Sequence, residues 1–91
     1  PTVVDFFDSN LRGSQTGFEI ELIELPSNSN WIGKSLAKVD LRRATGASVI
    51  GILREEERII SPGGDFTFEI GDKIIFIGNL EQIQAIEKLI F

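Results

Sequence analysis

The spacing of apolar residues changes along this chain, and that change most constrains the fold. From Phe18 to Leu25, apolar residues alternate with glutamates, which is the period of a half-buried β-strand. From Leu80 to Ile90, apolar residues recur every three or four positions, as they do on one face of a helix. Strand-like runs followed by an amphipathic helix predict an α+β domain in which helices cover one sheet.

Further segments complete the predicted sheet. Residues 47–53 are almost continuously apolar, which is typical of a central strand covered on both faces. Residues 59–60 and 73–77 predict two shorter strands, and the alternation over residues 66–70 resembles another. We therefore expect a four- to five-stranded, mostly antiparallel or mixed sheet. In the first strand we expect Phe18, Ile20 and Leu22 to face the core and the glutamates to face solvent.

Helix signals divide the chain into a short leading part and one domain. Residues 34–39 predict a short helix, and Asn79 with Gln82 predicts a capping box at the start of the last helix. Pro1 to Leu11 also predicts a helix, and the glycines at 13 and 17 predict a flexible joint after it. We expect a linking segment over residues 1–17 and a single domain over residues 18–91.

The composition excludes several kinds of chemistry. The chain has no His and no Cys, which removes disulfides, imidazole or thiolate metal sites and the usual catalytic nucleophile and base. We therefore expect no enzymatic activity and no catalytic residue. The chain has a net charge of -5 and therefore lacks the basic surface that nucleic-acid binders need, so no nucleic-acid partner is expected. No apolar run approaches the ~20 residues of a membrane span, and the start without Met predicts a cytosolic piece of something longer.

Three local features have both a functional and a structural interpretation. Gly33-Lys34-Ser35 resembles the end of a phosphate-binding loop, but Asn28 stands where that motif needs a glycine, so a tight turn before a helix is favoured. Carboxylates cluster at residues 65–72 and 55–57 without the spacing of an EF-hand, which favours a solvated acidic rim over a Ca²⁺ site. In that first cluster, Asp72 is expected to bond its own backbone in a turn.

The sequence leaves open the roles of two arginines and of the one tryptophan. Arg42 and Arg43 precede the central strand, where they could receive a phosphate or carboxylate, or could form surface ion pairs. Trp31, the one Trp of the chain, fits either a core anchor or an interface. Because Phe6, Phe7, Trp31, Phe66 and Phe68 are many large groups for so small an interior, we expect some of them to form a dimer surface.

About four-fifths of the chain carries a distinctive series of motifs. An acidic strand is followed by "WIGKSLAKVDLR", "TGASVIGILREEERIISP" and "DFTFEIGDKIIFIG", and then by the closing helix. This series resembles the C-terminal regulatory lobe of RCK domains, also called the TrkA-C domain. The leading "PTVVDFFD" resembles the segment that joins this lobe to the nucleotide-binding lobe in RCK-gated potassium channels.

The resemblance implies a regulatory role without catalysis. Such domains are cytosolic parts of, or peripheral to, membrane-embedded potassium channels and transporters, and they form homodimers next to an N-terminal nucleotide-binding lobe. A ligand that changes the relation between subunits then controls the linked pore. The alternative is a purely structural dimerisation module, with ligand sensing in the other lobe.

The resemblance also implies a ligand and its site. Some members bind cyclic di-AMP between subunits through an apolar-Arg pair, an Asn and a Pro. These positions correspond to Leu41 with Arg42, to Ser48 and to Pro62, and Ser48 departs from the pattern because it replaces Asn. Arg42 would contact a phosphate and Leu41 would support a base. Other members bind Ca²⁺, mostly through the other lobe, so we expect Ca²⁺ less than cyclic di-AMP and no metal site here.

Overall fold

The computed structural model describes residues 17–91, and the helix expected over Pro1 to Leu11 lies outside this range. One antiparallel sheet has the spatial order β1-β4-β2-β3, with β4 and β2 inside. This confirms the predicted α+β class and a sheet of four strands. Residues 66–70 add no strand and contribute only an isolated bridge between Thr67 and Ser35. The strands are β1 (Glu19–Glu24), β2 (Ser48–Arg54), β3 (Glu57–Ile60) and β4 (Lys73–Gly78).

Two short helices precede β2 where the sequence predicted one. Helix α1 (Leu36–Val39) begins at Ser35, whose Oγ accepts a hydrogen bond from the backbone N–H of Lys38 at 3.1 Å. Asp40 then adopts a left-handed backbone (φ 54°), which separates α1 from α2 (Leu41–Thr45). Aspartate tolerates this conformation better than most residues, so the break fits its residue type.

Helix α3 (Leu80–Ile90) begins at the predicted capping box. Asn79 Oδ1 accepts from the backbone N–H of Gln82, and Gln82 Oε1 accepts from that of Asn79, both at 2.8 Å. Helix α3 packs on β4 and β1. Its buried side chains are Ile83, Ile86 and Ile90, whereas the other predicted apolar positions, Leu80 and Leu89, are exposed.

The core lies on the helical side of the sheet and includes the aromatic residues whose role the sequence left open. Trp31 and Phe68 are buried, with ring centroids 5.3 Å apart, and Phe66 packs on Phe68 at 5.5 Å. Trp31 is therefore a core anchor. Of the five large groups considered for a dimer surface, Trp31 and Phe68 instead fill the interior and Phe66 is half-buried against them, while Phe6 and Phe7 lie outside the described residues.

The opposite side of the sheet is apolar but exposed, which reverses one prediction. In β1, Ile23 is buried and pairs in register with the buried Ile74, whereas Leu22 is 51% exposed. Phe18, Ile20 and Leu22 thus do not face the core as predicted, because alternation distinguishes two faces of a strand without showing which one is covered. Strand β2 is interior in the sheet, as predicted, with Gly51 and Ile52 buried, whereas Ile50 lies at the register shift between Val49 and Gly51 and is exposed.

Candidate functional site

A shallow pocket of about 240 Å³ lies where the α1–α2 corner meets the start of β2. The four residues predicted for ligand binding all line it, although they come from three separate parts of the chain. Its lining consists of Leu36, Asp40, Leu41, Arg42, Ser48, Val49 and Pro62. The fold therefore brings the predicted site residues together in space, and their role in binding stays a prediction.

Arg42 supplies the positive charge of this pocket. Its guanidinium donates to Ser48 Oγ from Nε at 3.4 Å and from Nη2 at 3.2 Å. A guanidinium has five N–H donors, so these two long bonds leave donors for an anionic ligand. The neighbouring Arg43 is also exposed but does not line the pocket. Of the two arginines, Arg42 is therefore the one placed to receive a phosphate or a carboxylate.

The remaining walls are apolar except for one carboxylate. Leu41 is 2% exposed and closes the pocket from the core side. Asp40 is exposed at the rim and places a negative charge beside Arg42. An anion in this pocket would be attracted by Arg42 and repelled by Asp40, so its affinity depends strongly on Arg42.

Backbone hydrogen bonds hold Pro62 against the helical corner. Before it, the N–H of Ser61 donates to the carbonyl of Ile50 at 3.0 Å. After it, the carbonyl of Gly64 accepts from the N–H of Ala37 at 2.9 Å. The segment that contains Pro62 is therefore hydrogen-bonded to the sheet on one side and to α1 on the other side.

A second cluster lies at the opposite end of β2 and combines three charged residues with one aromatic ring. We call it the Arg54–Asp72 cluster, and it consists of Arg54, Phe66, Glu69 and Asp72. Arg54 donates from Nε to Asp72 Oδ1 and from Nη2 to Asp72 Oδ2, both at 2.8 Å. Its Nη1 lies 3.0 Å from Glu69 Oε2, and its guanidinium lies 4.6 Å from the centroid of the Phe66 ring. The hydrogen bond with Asp72 raises the pKa of Arg54 above its ordinary value.

The burial and bonding of Asp72 indicate that this cluster stabilises the fold. Its side chain is fully buried, and Oδ2 also accepts from the backbone N–H of Glu69 at 2.9 Å. This local bond agrees with the predicted turn role of Asp72, but the expectation of a solvated acidic rim is wrong for Asp72, because its carboxylate is buried against Arg54, a partner that the sequence analysis missed. The order of the strands would have revealed the pair, because Arg54 ends β2 and Asp72 directly precedes β4, the antiparallel neighbour of β2.

The other candidate sites resolve into structural features. Gly33 has a φ of 85°, and its backbone N–H donates to the carbonyl oxygen of Phe68. The turn leads directly to Ser35 at the start of α1, as the tight-turn interpretation expects. Within residues 17–91, no group of three or more carboxylates, histidines or cysteines could hold a metal ion. A wider depression of about 700 Å³ at the β2–β3 turn is lined by three glutamates and by Arg58 and Lys73, so negative charges outnumber positive ones there.

Solved structures with this architecture show what class of domain it is. The RCK_C domain dimer of S. agalactiae BusR in complex with c-di-AMP has a TM-score of 0.72 and 28% identity, over 78% of this chain and 93% of that one. The RCK_C domain of the potassium transport protein KtrA, also in complex with c-di-AMP, has a TM-score of 0.73 and 29% identity, over 94% and 93% of the two chains. The fold therefore defines an RCK_C-type regulatory domain.

The TrkA-C domain model matches residues 20–90, and the chain belongs to this family. A probable potassium channel protein of Methanocaldococcus jannaschii is 32% identical over 99% of this chain and 27% of its own length. The Ktr system potassium uptake protein C of Bacillus subtilis is 33% identical over 77% of this chain and 32% of its own length. The chain thus spans about a third or less of these two relatives, both of which belong to potassium transport systems.

Two further findings bear on partners and on location. BusR in complex with its busAB promoter DNA also matches, with a TM-score of 0.74 and 28% identity over 97% of this chain and 43% of that one. BusR, which contains this fold, is therefore found in complex with DNA, and the absence of a nucleic-acid partner stays a prediction for this chain. In the part of the chain that the structure describes, no helix has the length and hydropathy needed to cross a membrane.

Proposed function

We propose that this chain is the ligand-sensing and dimerising domain of a potassium transport protein, and that its ligand is cyclic di-AMP. Arg42 binds a phosphate, Leu41 and Pro62 give an apolar wall for an adenine, and Ser48 holds the guanidinium of Arg42. The observation that carries this proposal is the pocket itself, which gathers Leu41, Ser48 and Pro62 around the exposed cation of Arg42.

The size and charge of the pocket support a site shared by two copies. Its volume of about 240 Å³ lies below the ~300–1,000 Å³ typical of small-molecule sites. Cyclic di-AMP consists of two identical halves and carries two phosphate charges. Two pockets related by a two-fold axis would supply two Arg42 side chains and enclose one half of the nucleotide each.

Ligand binding in such a site couples to the rest of the protein through the subunit arrangement. A nucleotide held by both copies favours the arrangement in which the two Arg42 side chains lie closest to its phosphates. We infer that residues 1–17 transmit this change to a nucleotide-binding lobe on the cytosolic side of a membrane-embedded channel or transporter. The domain itself performs no catalysis in this account.

The alternative function is a structural dimerisation module whose parent protein senses ligand elsewhere. Ser48 favours this alternative, because a hydroxyl replaces the amide that the cyclic di-AMP-binding members carry and so offers fewer hydrogen bonds. The two functions differ in one measurable respect. A ligand that binds the folded chain raises its melting temperature as the ligand concentration rises, whereas a purely structural module does not respond.

Thermal unfolding with increasing cyclic di-AMP tests the proposal. We expect the melting temperature of the 91-residue chain to rise steadily with nucleotide concentration. The Arg42→Ala variant should show no such rise, and the Arg43→Ala variant, which removes the same charge outside the pocket, should respond as the unmodified chain does. An unmodified chain that does not respond would support the structural alternative, and equal responses of the two variants would place the site elsewhere.

A further inference from the structure

The turn between α2 and β2 joins two sides of the candidate ligand pocket. Leu41 and Arg42 line the pocket from α2, and Ser48 lines it from the start of β2. We call residues 45–47, which lead from the end of α2 to β2, the pocket turn. The conformation of the pocket turn determines where the backbone of Arg42 lies relative to Ser48.

The hydroxyl of Thr45 bonds to both sides of the pocket turn. Its Oγ1 donates to the carbonyl oxygen of Leu41 at 2.7 Å and accepts from the backbone N–H of Ala47 at 3.1 Å. Leu41 is 2% exposed and Ala47 is 0% exposed, so water cannot easily replace either bond if the hydroxyl is lost. Because Ala47 directly precedes Ser48, one hydroxyl links the α2 side of the pocket to the β2 side.

Gly46 holds the backbone of Arg42 in the same turn. The N–H of Gly46 donates to the carbonyl oxygen of Arg42 at 2.7 Å, and Gly46 has a φ of 84°, the left-handed conformation common after the last residue of a helix. The carbonyl groups of Leu41 and Arg42 are therefore both bonded by the pocket turn. The turn fixes the backbone of the two residues that α2 gives to the pocket from its first turn.

The side chain of Gln82 packs on this turn from α3. A Cβ at Gly46 would lie 2.6 Å from Nε2 of Gln82, and a Cβ at Gly78 would lie 2.9 Å from its Oε1. The side chain of Gln82 therefore fills the space between these two glycines. The capping box also fixes it, since Oε1 accepts from the N–H of Asn79 at 2.8 Å. Gln82 thus connects the start of α3 to the pocket turn.

We propose that Thr45 and Gln82 are positioning residues for the ligand pocket. The hydroxyl of Thr45 sets the placement of α2 against β2, and Gln82 holds the pocket turn against α3. Neither side chain lines the pocket, so both act through Arg42. This inference rests on the proposed function, because it names the residues that prepare Arg42 to bind a phosphate.

The bonds of Arg42 explain why its backbone has to be held. Its guanidinium reaches Ser48 only through two long bonds, at 3.2 and 3.4 Å, so these bonds hold the side chain weakly. A ligand that binds only molecules with Arg42 in place has an apparent Kd divided by the fraction of such molecules. A variant that leaves Arg42 in place in about a tenth of the molecules therefore raises the Kd about tenfold.

Titration of the 91-residue chain with cyclic di-AMP, well below its melting temperature, tests the role of Thr45. Thr45→Val keeps the shape of the side chain but removes the hydroxyl, and it should raise the Kd about tenfold. Thr45→Ser keeps the hydroxyl and should bind almost as the unmodified chain does. Thr67→Val is the matched control, because it makes the same change at an exposed threonine whose hydroxyl makes one described bond, at 3.5 Å.

A second pair of variants tests the role of Gln82. Gln82→Ala removes the packing on the pocket turn and should raise the Kd by a smaller factor than Thr45→Val, because the bonds of Thr45 remain. Gln84→Ala, at an exposed position of the same helix, should leave the Kd unchanged. A loss of stability alone does not change the Kd when all molecules are folded, and circular dichroism checks that they are.

The comparisons within each pair decide the proposal. If Thr45→Val does not bind more weakly than Thr45→Ser, the hydroxyl of Thr45 does not position Arg42, and the inference is overturned for Thr45. Equal Kd values of Gln82→Ala and Gln84→Ala overturn it for Gln82. Should Thr45→Val not fold, the Gln82 pair decides the proposal.

Nuclear magnetic resonance of the chain without nucleotide separates failure of this inference from failure of the proposed function. The signal of the Arg42 Nε–H group should move in Thr45→Val toward its position in Ser48→Ala, where Arg42 lacks its described acceptor. In Thr45→Ser the signal should stay where it is in the unmodified chain. An unmodified chain that does not bind cyclic di-AMP overturns the proposed function, whereas an Arg42 signal that does not move in Thr45→Val overturns the positioning role.

Discussion

Arg42 and Arg54 lie near the two ends of the same strand, and their surroundings are opposite. Arg54 donates two bonds at 2.8 Å to a buried carboxylate and a third, also at 2.8 Å, to the carbonyl of Thr67. Arg42 is exposed, and its described bonds are two long ones to a single serine hydroxyl. The guanidinium of Arg54 is thus occupied within the domain, while that of Arg42 keeps donors for another molecule.

This difference separates Arg54, a structural cation, from Arg42, which we propose to be a binding cation. The Arg54–Asp72 cluster joins the end of β2, the loop before β4 and the aromatic core, so its removal should affect folding. Arg42 contacts little of its own chain, so its removal should affect binding and leave folding almost unchanged. The following variants test the comparison, beginning with the largest expected effect.

Replacing the buried carboxylate should cause the largest loss of stability. Asp72→Ala leaves Arg54 without its bidentate partner and the N–H of Glu69 without an acceptor. Breaking a buried ion pair costs about 3–5 kcal/mol, and we expect about 3 kcal/mol because Arg54 keeps some contact with solvent. Urea unfolding measures this loss. Asp65→Ala, at an exposed carboxylate in the same loop, is the control and should change the unfolding free energy by less than about 0.5 kcal/mol.

A conservative change of the cation should have a smaller effect. Arg54→Lys keeps the charge but loses the planar pair of hydrogen bonds to Asp72 and the stacking on Phe66. We expect a loss of about 1–2 kcal/mol in unfolding free energy. If Arg54→Lys unfolds at the same urea concentration as the unmodified chain, charge alone holds this cluster together and the bidentate geometry is unimportant.

Removing the negative charge from the rim of the pocket should strengthen binding. Asp40→Asn keeps a residue type that tolerates the left-handed backbone, so α1 and α2 should keep their positions. Two unit charges ~4 Å apart in water interact by ~1 kcal/mol, so loss of the repulsion should lower the Kd for cyclic di-AMP about fivefold. A nucleotide titration measures it, and a Kd that rises would mean that the Asp40 carboxylate contacts the ligand favourably.

The smallest effect on stability is expected at Arg42 itself. Arg42→Ala removes an exposed side chain whose described bonds are long, so the unfolding free energy should change by less than about 0.5 kcal/mol. The same urea series as for Asp72→Ala measures it. A loss as large as that of Asp72→Ala would show that both arginines are structural, and the contrast between the two regions would disappear.

Local sequence signals predicted the features that depend on neighbouring residues. The capping box of Asn79 and Gln82 and the turn at Gly33 could be read directly from the sequence, because the bonding groups lie within a few residues of each other. The break at Asp40 was missed because its left-handed backbone has no strong signal in a non-glycine residue.

Features that depend on pairing between distant segments could not be predicted in the same way. The exposed side of β1 was assigned incorrectly because alternation is symmetric between the two faces until α3 is placed on one of them. Arg54 and Asp72 are 18 residues apart, and only the pairing of β2 with β4 brings them together. The pocket around Arg42 was predicted through the family resemblance, since residue spacing alone does not join Pro62 to α2.

Isothermal titration of the 91-residue chain with cyclic di-AMP, beside Arg42→Ala and Arg43→Ala, tests the central claim most directly. The account predicts micromolar or tighter binding with one nucleotide for two copies of the chain. It also predicts that Arg42→Ala abolishes this binding and that Arg43→Ala preserves it. Absence of heat from the unmodified chain at high nucleotide concentration, or unchanged binding by Arg42→Ala, would contradict the account.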